Sequence, residues 1–278
     1  RKFLLMNDIQ GLRTRELTMD TFYTDHWQTI EPERLDRYEQ LFQFRPEQEP
    51  FVDALALTGK TSVLDFGCGP GFMAEEIASR TTAQVFGVDL NKEFMSRAES
   101  RNTKENLKFF HLEGDALPDE INAVDRVFIK NVLEYVPDLE GTVARLHSIL
   151  SDGGRIVVID SDWGFVLVEP WGKVRADRFF EAAAAAFREP HIGRKLPGLL
   201  ARAGFEDIKV KMIAGVDLKG RGVSVLQNMV SYIREFGTMS ETELQAHMSE
   251  LEAAQANGSF MFILPQFLVT ATKGNPDE

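Results

Sequence analysis

Cysteine is nearly absent from this chain of 278 residues, which has Cys68 alone and therefore cannot form an internal disulfide. The lack of a disulfide fits a reducing compartment, so we expect a cytoplasmic protein. The five histidines do not form, with cysteine, the spacing of a metal site, and we expect no bound metal. Cys68 stands between two glycines, and we interpret it as a small residue that fits a turn rather than as a nucleophile.

Long apolar runs and an excess of basic residues are also missing. The most apolar stretch, residues 260–271, is too short to span a bilayer, so we expect no membrane-spanning segment. Acidic residues outnumber basic ones by 43 to 31, which gives a net charge of −12. Because such a surface repels phosphate backbones, we expect no nucleic-acid partner. A homodimer is compatible with the sequence.

Glycine, by contrast, is concentrated in residues 63–72, which read VLDFGCGPGF. An apolar pair leads to an acid, three alternate glycines follow, and an apolar residue opens the next segment. The pattern predicts a buried strand, a tight turn and the start of a helix. Glycine permits positive φ and close approach of a ligand, and the helix start supplies free N–H groups. A tight turn without a ligand is the alternative.

The spacing of these glycines excludes two common nucleotide motifs. The dinucleotide fingerprint needs a glycine where Phe72 stands, and the Walker pattern needs Gly-Lys-Ser/Thr at the helix start. What remains, Asp-x-Gly-x-Gly-x-Gly, resembles motif I of the class I S-adenosylmethionine-dependent methyltransferases. The resemblance implies that the methionine part of the cofactor packs against Gly67, Gly69 and Gly71. It also implies that Asp65 helps to hold the ammonium group of the cofactor.

A second carboxylate lies at the end of the next predicted strand, residues 84–90. Asp89 comes about twenty residues after the glycines, the offset of a ribose ligand in nucleotide-binding α/β folds. Asn91 can cap the following helix, which would leave Asp89 available. In the methyltransferase family this acid binds the ribose, so the resemblance assigns Asp89 and its neighbour Leu90 to the cofactor site.

A third match follows the strand predicted at residues 107–111, where the family places an acid against the adenine amino group. After the fourth predicted strand, residues 124–130, the family usually ends a segment with Leu-x-His-Val. Tyr135 replaces that histidine here, which puts in doubt any role of the histidine. The further cofactor ligands that the resemblance implies are Gly114, Asp115, Ala116, Lys130 and Asn131.

Helices and strands alternate from residue 58 onward, which favours a parallel sheet covered on both faces. We predict an α/β fold with a Rossmann-like seven-stranded sheet. The resemblance implies that the last strand, residues 260–272, is antiparallel and inserted between strands five and six. Residues 1–57 are predicted to form a helical arm or lid, and residues 58–278 the cofactor-binding domain. Helical insertions are expected near residues 162–192 and 218–256.

Helical periodicity adds four elements outside the minimal sheet. The last of them begins with a capping box, in which Ser240 is followed three positions later by Glu243. Another has Pro197 in its first turn. The four helices are predicted at residues 173–187, 195–203, 223–236 and 240–256.

The activity that the resemblance implies is methyl transfer to a small molecule, in the ubiquinone/menaquinone-methyltransferase-like group. The sulfonium of the cofactor already activates its methyl group, so the main task of the protein is alignment. A base is needed only when the acceptor must lose a proton. The candidates near the predicted mouth of the site are His26, His191 and Asp162.

Aromatic residues are concentrated in residues 22–27 and after residue 162. The spacing of Tyr23 and Trp27 resembles a family helix that closes over the cofactor, which assigns both to the cofactor site. Because small-ligand pockets are mostly apolar and aromatic, we expect a small, largely apolar acceptor. Its predicted contacts are Phe22, Trp163, Trp171 and Met229. The alternative is that these aromatic residues only pack the added helices.

Other functions are also considered. Base methyltransferases of DNA or RNA usually carry Asn/Asp-Pro-Pro-Tyr after strand four, and Lys-Asn-Val-Leu at residues 130–133 is not that motif. A protein methyltransferase and a non-catalytic cofactor-binding module are both compatible with the sequence. The acceptor atom is not identified by the sequence.

Overall fold

The computed structural model describes residues 22–114 and 116–274 of the protein, and these residues form two compact units. The first, which we call the sheet unit, comprises Trp27–Asp162, His191–Ile213 and the described residues from Pro265 onward. The second, the insertion unit, comprises the described residues up to His26 together with Trp163–Pro190 and Ala214–Leu264.

A mixed sheet of seven strands forms the sheet unit, in the lateral order β3-β2-β1-β4-β5-β9-β7. The first five strands in this order are parallel, and β9 is antiparallel to both of its neighbours. This confirms the predicted Rossmann-like fold and its inserted antiparallel strand. The strands are β1 Val63–Phe66, β2 Val85–Asp89, β3 Leu107–His111, β4 Val124–Lys130, β5 Leu150–Ser161, β6 Leu167–Glu169, β7 Phe205–Ile213, β8 Met261–Ile263 and β9 Gln266–Lys273, of which β6 and β8 belong to the insertion unit.

Helices precede, connect or follow these strands. Residues 22–28 form α1. The others are α2 Pro32–Leu41, α3 Glu49–Asp53, α4 Phe72–Ser79, α5 Lys92–Arg101, α6 Leu139–Ile149, α7 Gly172–Ala182, α8 Ile192–Arg202, α9 Val223–Phe236 and α10 Glu241–Asn257. Among the described residues, no helix combines the length and the apolar character needed to cross a membrane.

The central strands bury apolar side chains on both faces of the sheet. Val63 and Phe128 belong to one core cluster, and Leu64 and Val127 belong to the cluster on the other face. All four side chains are fully buried. A parallel sheet covered on both sides explains why these strands are nearly continuous apolar runs in the sequence. The carboxyl ends of β1, β2 and β4 are thereby fixed next to one another.

The single strand predicted at residues 260–272 is wrong, because the structure divides it into β8 and β9. Pro265 stands at the break, and proline cannot donate a ladder hydrogen bond. β8 instead pairs antiparallel with β6, with Leu167 opposite Ile263. The short strand β6 was not predicted, since three residues carry too little periodicity to be recognised.

Of the four helices predicted by periodicity, α9 has the predicted bounds and α10 has the predicted Ser240–Glu243 capping box. The prediction for α8 is wrong at its start, because the helix begins at Ile192 and Pro197 lies inside it. α7 is shorter than predicted and is followed by a 3₁₀ turn, Ala184–Ala186.

Two segments of the insertion unit, Trp163–Pro190 and Ala214–Leu264, interrupt the sequence of the sheet unit, and we call them the two excursions. Each excursion begins and ends at neighbouring points. Trp163 N donates to Pro190 O at 3.0 Å, which joins the two ends of the first excursion. Ile213 of β7 lies opposite Gln266 of β9, which joins the flanks of the second. Each excursion is therefore closed at its base by main-chain contacts.

Candidate cofactor site

The glycine turn joins β1 to α4, and its three glycines all have positive φ: +76° at Gly67, +53° at Gly69 and +85° at Gly71. A Cβ atom at Gly67 would lie 2.3 Å from the side chain of Val132, and one at Gly71 would lie 2.6 Å from Phe109. At Gly69 the nearest described atom would be 3.6 Å away. Two glycines thus allow close internal packing, whereas Gly69 is required chiefly by its backbone conformation.

Asp89 at the end of β2 is bound to this turn. Its Oδ2 accepts the N–H of Gly69 at 2.8 Å, and its Oδ1 accepts the N–H of Asn91 at 2.8 Å. Burial raises the pKa of Asp89, and these two N–H groups oppose the rise. Each carboxylate oxygen can accept more than one hydrogen bond, so Asp89 can also accept hydrogen bonds from hydroxyl groups.

Asn91 caps α5 as predicted, since its Oδ1 accepts the N–H of Phe94 at 2.9 Å. The further expectation, that this cap leaves Asp89 free, is only half right because Asp89 already holds two main-chain N–H groups. The Nδ2 of Asn91 also donates to the carbonyl of Trp27 at 2.9 Å. Asn91 therefore attaches the last turn of α1 to the start of α5, next to Asp89, the candidate ribose ligand.

Asp65 is buried in β1 with 2% of its surface exposed, and its Oδ2 has no hydrogen-bond partner among the described residues. Burial raises the pKa of Asp65 to about 8, the negative charge of Asp89 adds to the rise, and Lys130 opposes it. A buried acceptor without a partner is unfavourable and suggests that something else completes it. A cationic group such as an ammonium would supply both the missing donor and a compensating charge.

The end of β4 contributes a cation and an amide. Burial lowers the pKa of Lys130, and the acids around it, chiefly Asp65, oppose this effect. Asn131 has φ +54°, unusual for a residue other than glycine, and its buried Oδ1 lacks a hydrogen-bond partner in the part of the chain that the structure describes. Such backbone conformations are concentrated at functional sites, where the surrounding structure holds them.

Asp160 at the end of β5 fixes the segment after Asn131. It is fully buried, and its Oδ2 accepts the N–H of Leu133 at 3.0 Å at the start of the 3₁₀ turn Leu133–Tyr135. Burial raises the pKa of Asp160 to about 7. The turn presents Tyr135, whose ring is 5.2 Å from that of Trp27 in a T-shaped contact. Tyr135, in the place of the family histidine, is thus an aromatic support for α1.

The predicted adenine side is only partly described. The carbonyl of Leu90 accepts a hydrogen bond from Nε2 of His111 at 3.0 Å, and this bond joins the end of β2 to the end of β3. Gly114 has φ +78° with nothing within 4 Å of its Cβ position, and Ala116 is exposed. Asp115 lies outside the described residues, as do residues 1–21 of the predicted arm.

The carboxyl end of β5 leads to a cluster around Asp162, which is fully buried. Arg194 donates to both of its oxygens, through Nε at 2.5 Å and Nη2 at 2.7 Å, and Nδ1 of His191 lies 3.3 Å from Oδ1. The structure therefore brings the predicted pair His191 and Asp162 together. A carboxylate held by a bidentate guanidinium is better suited to orient His191 than to act as a base.

Sequence reasoning missed Arg194, and it also missed how α8 begins. The N–H of Arg194 donates to Asp162 Oδ2 at 3.3 Å, so the carboxylate of the residue directly after β5 caps the first turn of α8. The sequence offered only a weak signal for this contact, because Arg194 is a cation three residues after His191 and no local capping residue marks the start of the helix.

The remaining candidates belong to the insertion unit, where several form its aromatic core. His26 Nδ1 donates to Phe22 O at 2.5 Å, and its ring stacks on Phe22 and meets Tyr232 edge-on. Trp163 and Trp171 are buried, and the indole N–H of Trp171 donates to His247 O at 3.3 Å. Met229 is buried in α9, and Tyr23 is partly buried in α1. These contacts fit packing well, most clearly for Trp171.

Comparison with known proteins shows which family this part of the sequence is similar to. The profile of a family described as a methyltransferase domain matches residues 64–158, which include the glycine turn and Asp89. A ubiquinone biosynthesis O-methyltransferase of Chromobacterium violaceum is 31% identical over 122 residues, which are 43% of this chain and 52% of that protein. The resemblance to the class I S-adenosylmethionine-dependent methyltransferases that the sequence predicts is therefore confirmed.

Other methyltransferases are similar to this chain over a larger part of their length. A trans-aconitate 2-methyltransferase of Variovorax paradoxus is 30% identical and covers 63% of this chain and 65% of its own length. A demethylmenaquinone methyltransferase of Staphylococcus saprophyticus is 27% identical, with 66% of this chain and 86% of that protein covered. The YcgJ protein of Bacillus subtilis shares the fold, with a TM-score of 0.58 at 18% identity over 82% of this chain and 97% of that one.

These relatives confirm the predicted likeness to the quinone-methyltransferase group. The chain spans about half of the ubiquinone relative, 52%, and 65% of the trans-aconitate relative. The match with the family profile ends at residue 158, before Asp162. The match therefore covers the glycine turn and strands β2 to β4, and it does not reach Asp162 or the residues after it.

Proposed function

We propose that this chain binds S-adenosylmethionine and transfers its methyl group to a small, largely apolar metabolite. The observation that carries the proposal is the buried Asp65 carboxyl, for whose Oδ2 the described residues supply no hydrogen-bond donor. It stands two residues before a glycine turn that Asp89 binds through the N–H of Gly69. An ammonium group would complete Asp65, and ribose hydroxyls would complete Asp89. S-adenosylmethionine carries both groups and supplies a methyl group activated by a sulfonium.

The residues of the chain have separate tasks in this proposal. Asp65, with Lys130 and Asn131 at the end of β4, holds the amino-acid end of the cofactor. The turn of Gly67, Gly69 and Gly71 leaves room for that end, and Asp89 with Leu90 holds the ribose. The remaining proposed cofactor contacts are Tyr23, Trp27, Gly114, Asp115 and Ala116. Because the reaction is a displacement in line with the bond that breaks, holding both partners in place supplies most of the rate.

A base is proposed only for acceptors that must lose a proton. His191 is the best candidate, because Asp162 contacts its Nδ1 and thereby favours the tautomer in which Nε2 can accept a proton. Arg194 donates to both oxygens of Asp162, which holds this carboxylate in place against His191. His26 is the second candidate, and its Nδ1 is likewise committed, to the carbonyl of Phe22.

Small metabolites are favoured as acceptors because the relatives are named for ubiquinone biosynthesis, demethylmenaquinone and trans-aconitate. None of these names refers to a protein substrate. We propose that the acceptor contacts come from Phe22, Trp163 and Met229, and that residues 1–57 act as arm and lid. Trp171, which the sequence also suggested, packs on Phe179 and His247 and is assigned to packing instead. We also propose a biosynthetic role in the cytoplasm, with a homodimer as the oligomer to test.

The test is binding followed by turnover. Calorimetry with S-adenosylhomocysteine should show binding, and Asp89→Ala should weaken it by about 1.5–3 kcal/mol, the range for hydrogen bonds to a charged group. Glu252→Ala, an exposed change in α10, is the control and should leave the affinity unchanged. Turnover should then appear with a panel of phenols, quinols and carboxylic acids.

Three outcomes separate the alternatives. Absence of binding by the unchanged chain would contradict the proposal as a whole. Binding without turnover on any small acceptor would favour the non-catalytic module, and turnover on proteins alone would favour a protein methyltransferase.

A further inference from the structure

The guanidinium of Arg101, the last residue of α5, contacts the glycine turn. Its Nη2 donates a hydrogen bond to the carbonyl oxygen of Pro70. Pro70 stands between Gly69 and Gly71, both of which have positive φ. The N–H of Gly71, in the same peptide group as that carbonyl, donates to Cys68 O at 3.0 Å. The Pro70–Gly71 peptide is therefore held from both sides, and Arg101 supplies one of them.

The same guanidinium is anchored to two helices besides its own. Its Nε donates to Glu75 of α4 at 3.0 Å, and its Nη1 donates to Glu39 of α2 at 2.9 Å. It also lies over the ring of Phe72, the first residue of α4, at 4.1 Å from the centroid. A planar fork with five N–H groups can hold three partners at once, which an ammonium group cannot do in the same geometry.

Stability alone does not account for this arrangement. The side chains of Arg101, Glu39 and Glu75 are 31%, 26% and 25% exposed, and ion pairs near solvent contribute little to folding. What distinguishes Arg101 is its bond to the turn. A peptide next to glycine meets little steric resistance to rotation, and the bond from Arg101 adds a second restraint to the one between Gly71 N–H and Cys68 O.

We propose that Arg101 is a positioning residue that holds the glycine turn in the conformation in which it receives the cofactor. It does so through Pro70, and it ties this conformation to the placement of α2 through Glu39. Loss of Arg101 leaves the turn with several orientations of the Pro70–Gly71 peptide, of which a fraction receives the cofactor, and apparent affinity falls by that fraction. The proposal rests on the proposed function, because it takes the turn as the cofactor site.

Arg97 provides a matched control on the same helix. It lies one turn before Arg101 and its side chain is 27% exposed, close to the 31% of Arg101. Its partners are Glu39 at 2.9 Å, Asp36 at 2.8 Å and Glu93 at 3.3 Å. Arg97 thus takes part in the same ion-pair network, and its three partners are all carboxylates outside the glycine turn.

The experiment compares Arg101→Gln, Arg101→Lys and Arg97→Gln by calorimetry with S-adenosylhomocysteine and by melting temperature. Arg101→Gln should weaken binding about tenfold, the loss expected for one hydrogen bond to a charged group. Arg101→Lys keeps the charge, and therefore most of the stability, but should also weaken binding. Arg97→Gln should lower the melting temperature as much as Arg101→Gln does while leaving the affinity within twofold of the unchanged chain.

Equal affinities for the Arg101 variants and the unchanged chain would overturn the proposal, as would equal weakening by Arg97→Gln. If Arg101→Gln does not fold, Arg101→Lys decides by the same criterion. If the unchanged chain does not bind, both this inference and the proposed function are overturned. If the unchanged chain binds and the Arg101 variants bind with the same affinity, this inference alone is overturned.

Discussion

Asp65 combines burial, a neighbouring negative charge and an oxygen for which the described residues supply no donor. In the unfolded chain an aspartate loses its proton near pH 4. In the folded chain Asp65 keeps it up to about pH 8. Between these values the folded state binds more protons than the unfolded state, so the unfolding free energy falls as the pH rises.

Asp65→Asn should remove this dependence and stabilise the protein without cofactor, by roughly a few kcal/mol at pH 8 and less at pH 5. Urea denaturation of both proteins at pH 5 and pH 8 measures the difference. The same variant should bind S-adenosylhomocysteine more weakly, because the amide cannot neutralise an ammonium. A stability difference that does not change with pH would mean that Asp65 is ionised in the folded chain throughout this range.

At the scale of elements, the side chain of Asn91 connects α1 with α5, and its main-chain N–H donates to Asp89 of β2. Asn91→Ser keeps a good N-cap for α5 but cannot reach the carbonyl of Trp27. We therefore expect a nearly unchanged melting temperature and lower turnover, because the last turn of α1 loses its attachment. Asn102→Ser, at the other end of α5, is the control. If turnover is unaffected by Asn91→Ser, the bond to Trp27 has no part in the reaction.

Elements defined by neighbouring residues could be predicted from the sequence. The bounds of β3, β4 and α9 follow from local periodicity, and the glycine turn follows from its spacing. The start of α8 could not be predicted, because the N–H of Arg194 in its first turn is bound by Asp162, 32 residues before Arg194. For the same reason the contacts of Arg101 with Pro70 and Glu39 were not foreseen: they join residues 31 and 62 positions apart.

At the scale of the whole molecule, the two indoles of the insertion unit should behave differently. Trp163 follows Asp162, the residue directly after β5. The carboxyl ends of parallel strands are where α/β proteins bind ligands. Trp171 instead packs on Phe179 and His247. Trp163→Ala should raise the acceptor KM at constant cofactor affinity, whereas Trp171→Ala should lower stability by about 3–5 kcal/mol with KM unchanged.

Melting curves, calorimetry and initial rates on the two variants give all three quantities. The same loss of stability in both, with neither KM altered, would show that both indoles are packing residues. A raised KM for Trp171→Ala would instead place the acceptor deeper in the insertion unit.

The closed bases of the two excursions make the chain modular. Trp163 meets Pro190, and Ile213 lies opposite Gln266, so each excursion begins and ends at almost the same place. Closing a chain between points already in contact requires few residues and little entropy. Evolution, or an engineer, can therefore lengthen, shorten or exchange either excursion while the main-chain contacts that close its base are kept. Under the proposed function, acceptor choice and cofactor chemistry would then be inherited separately along one polypeptide.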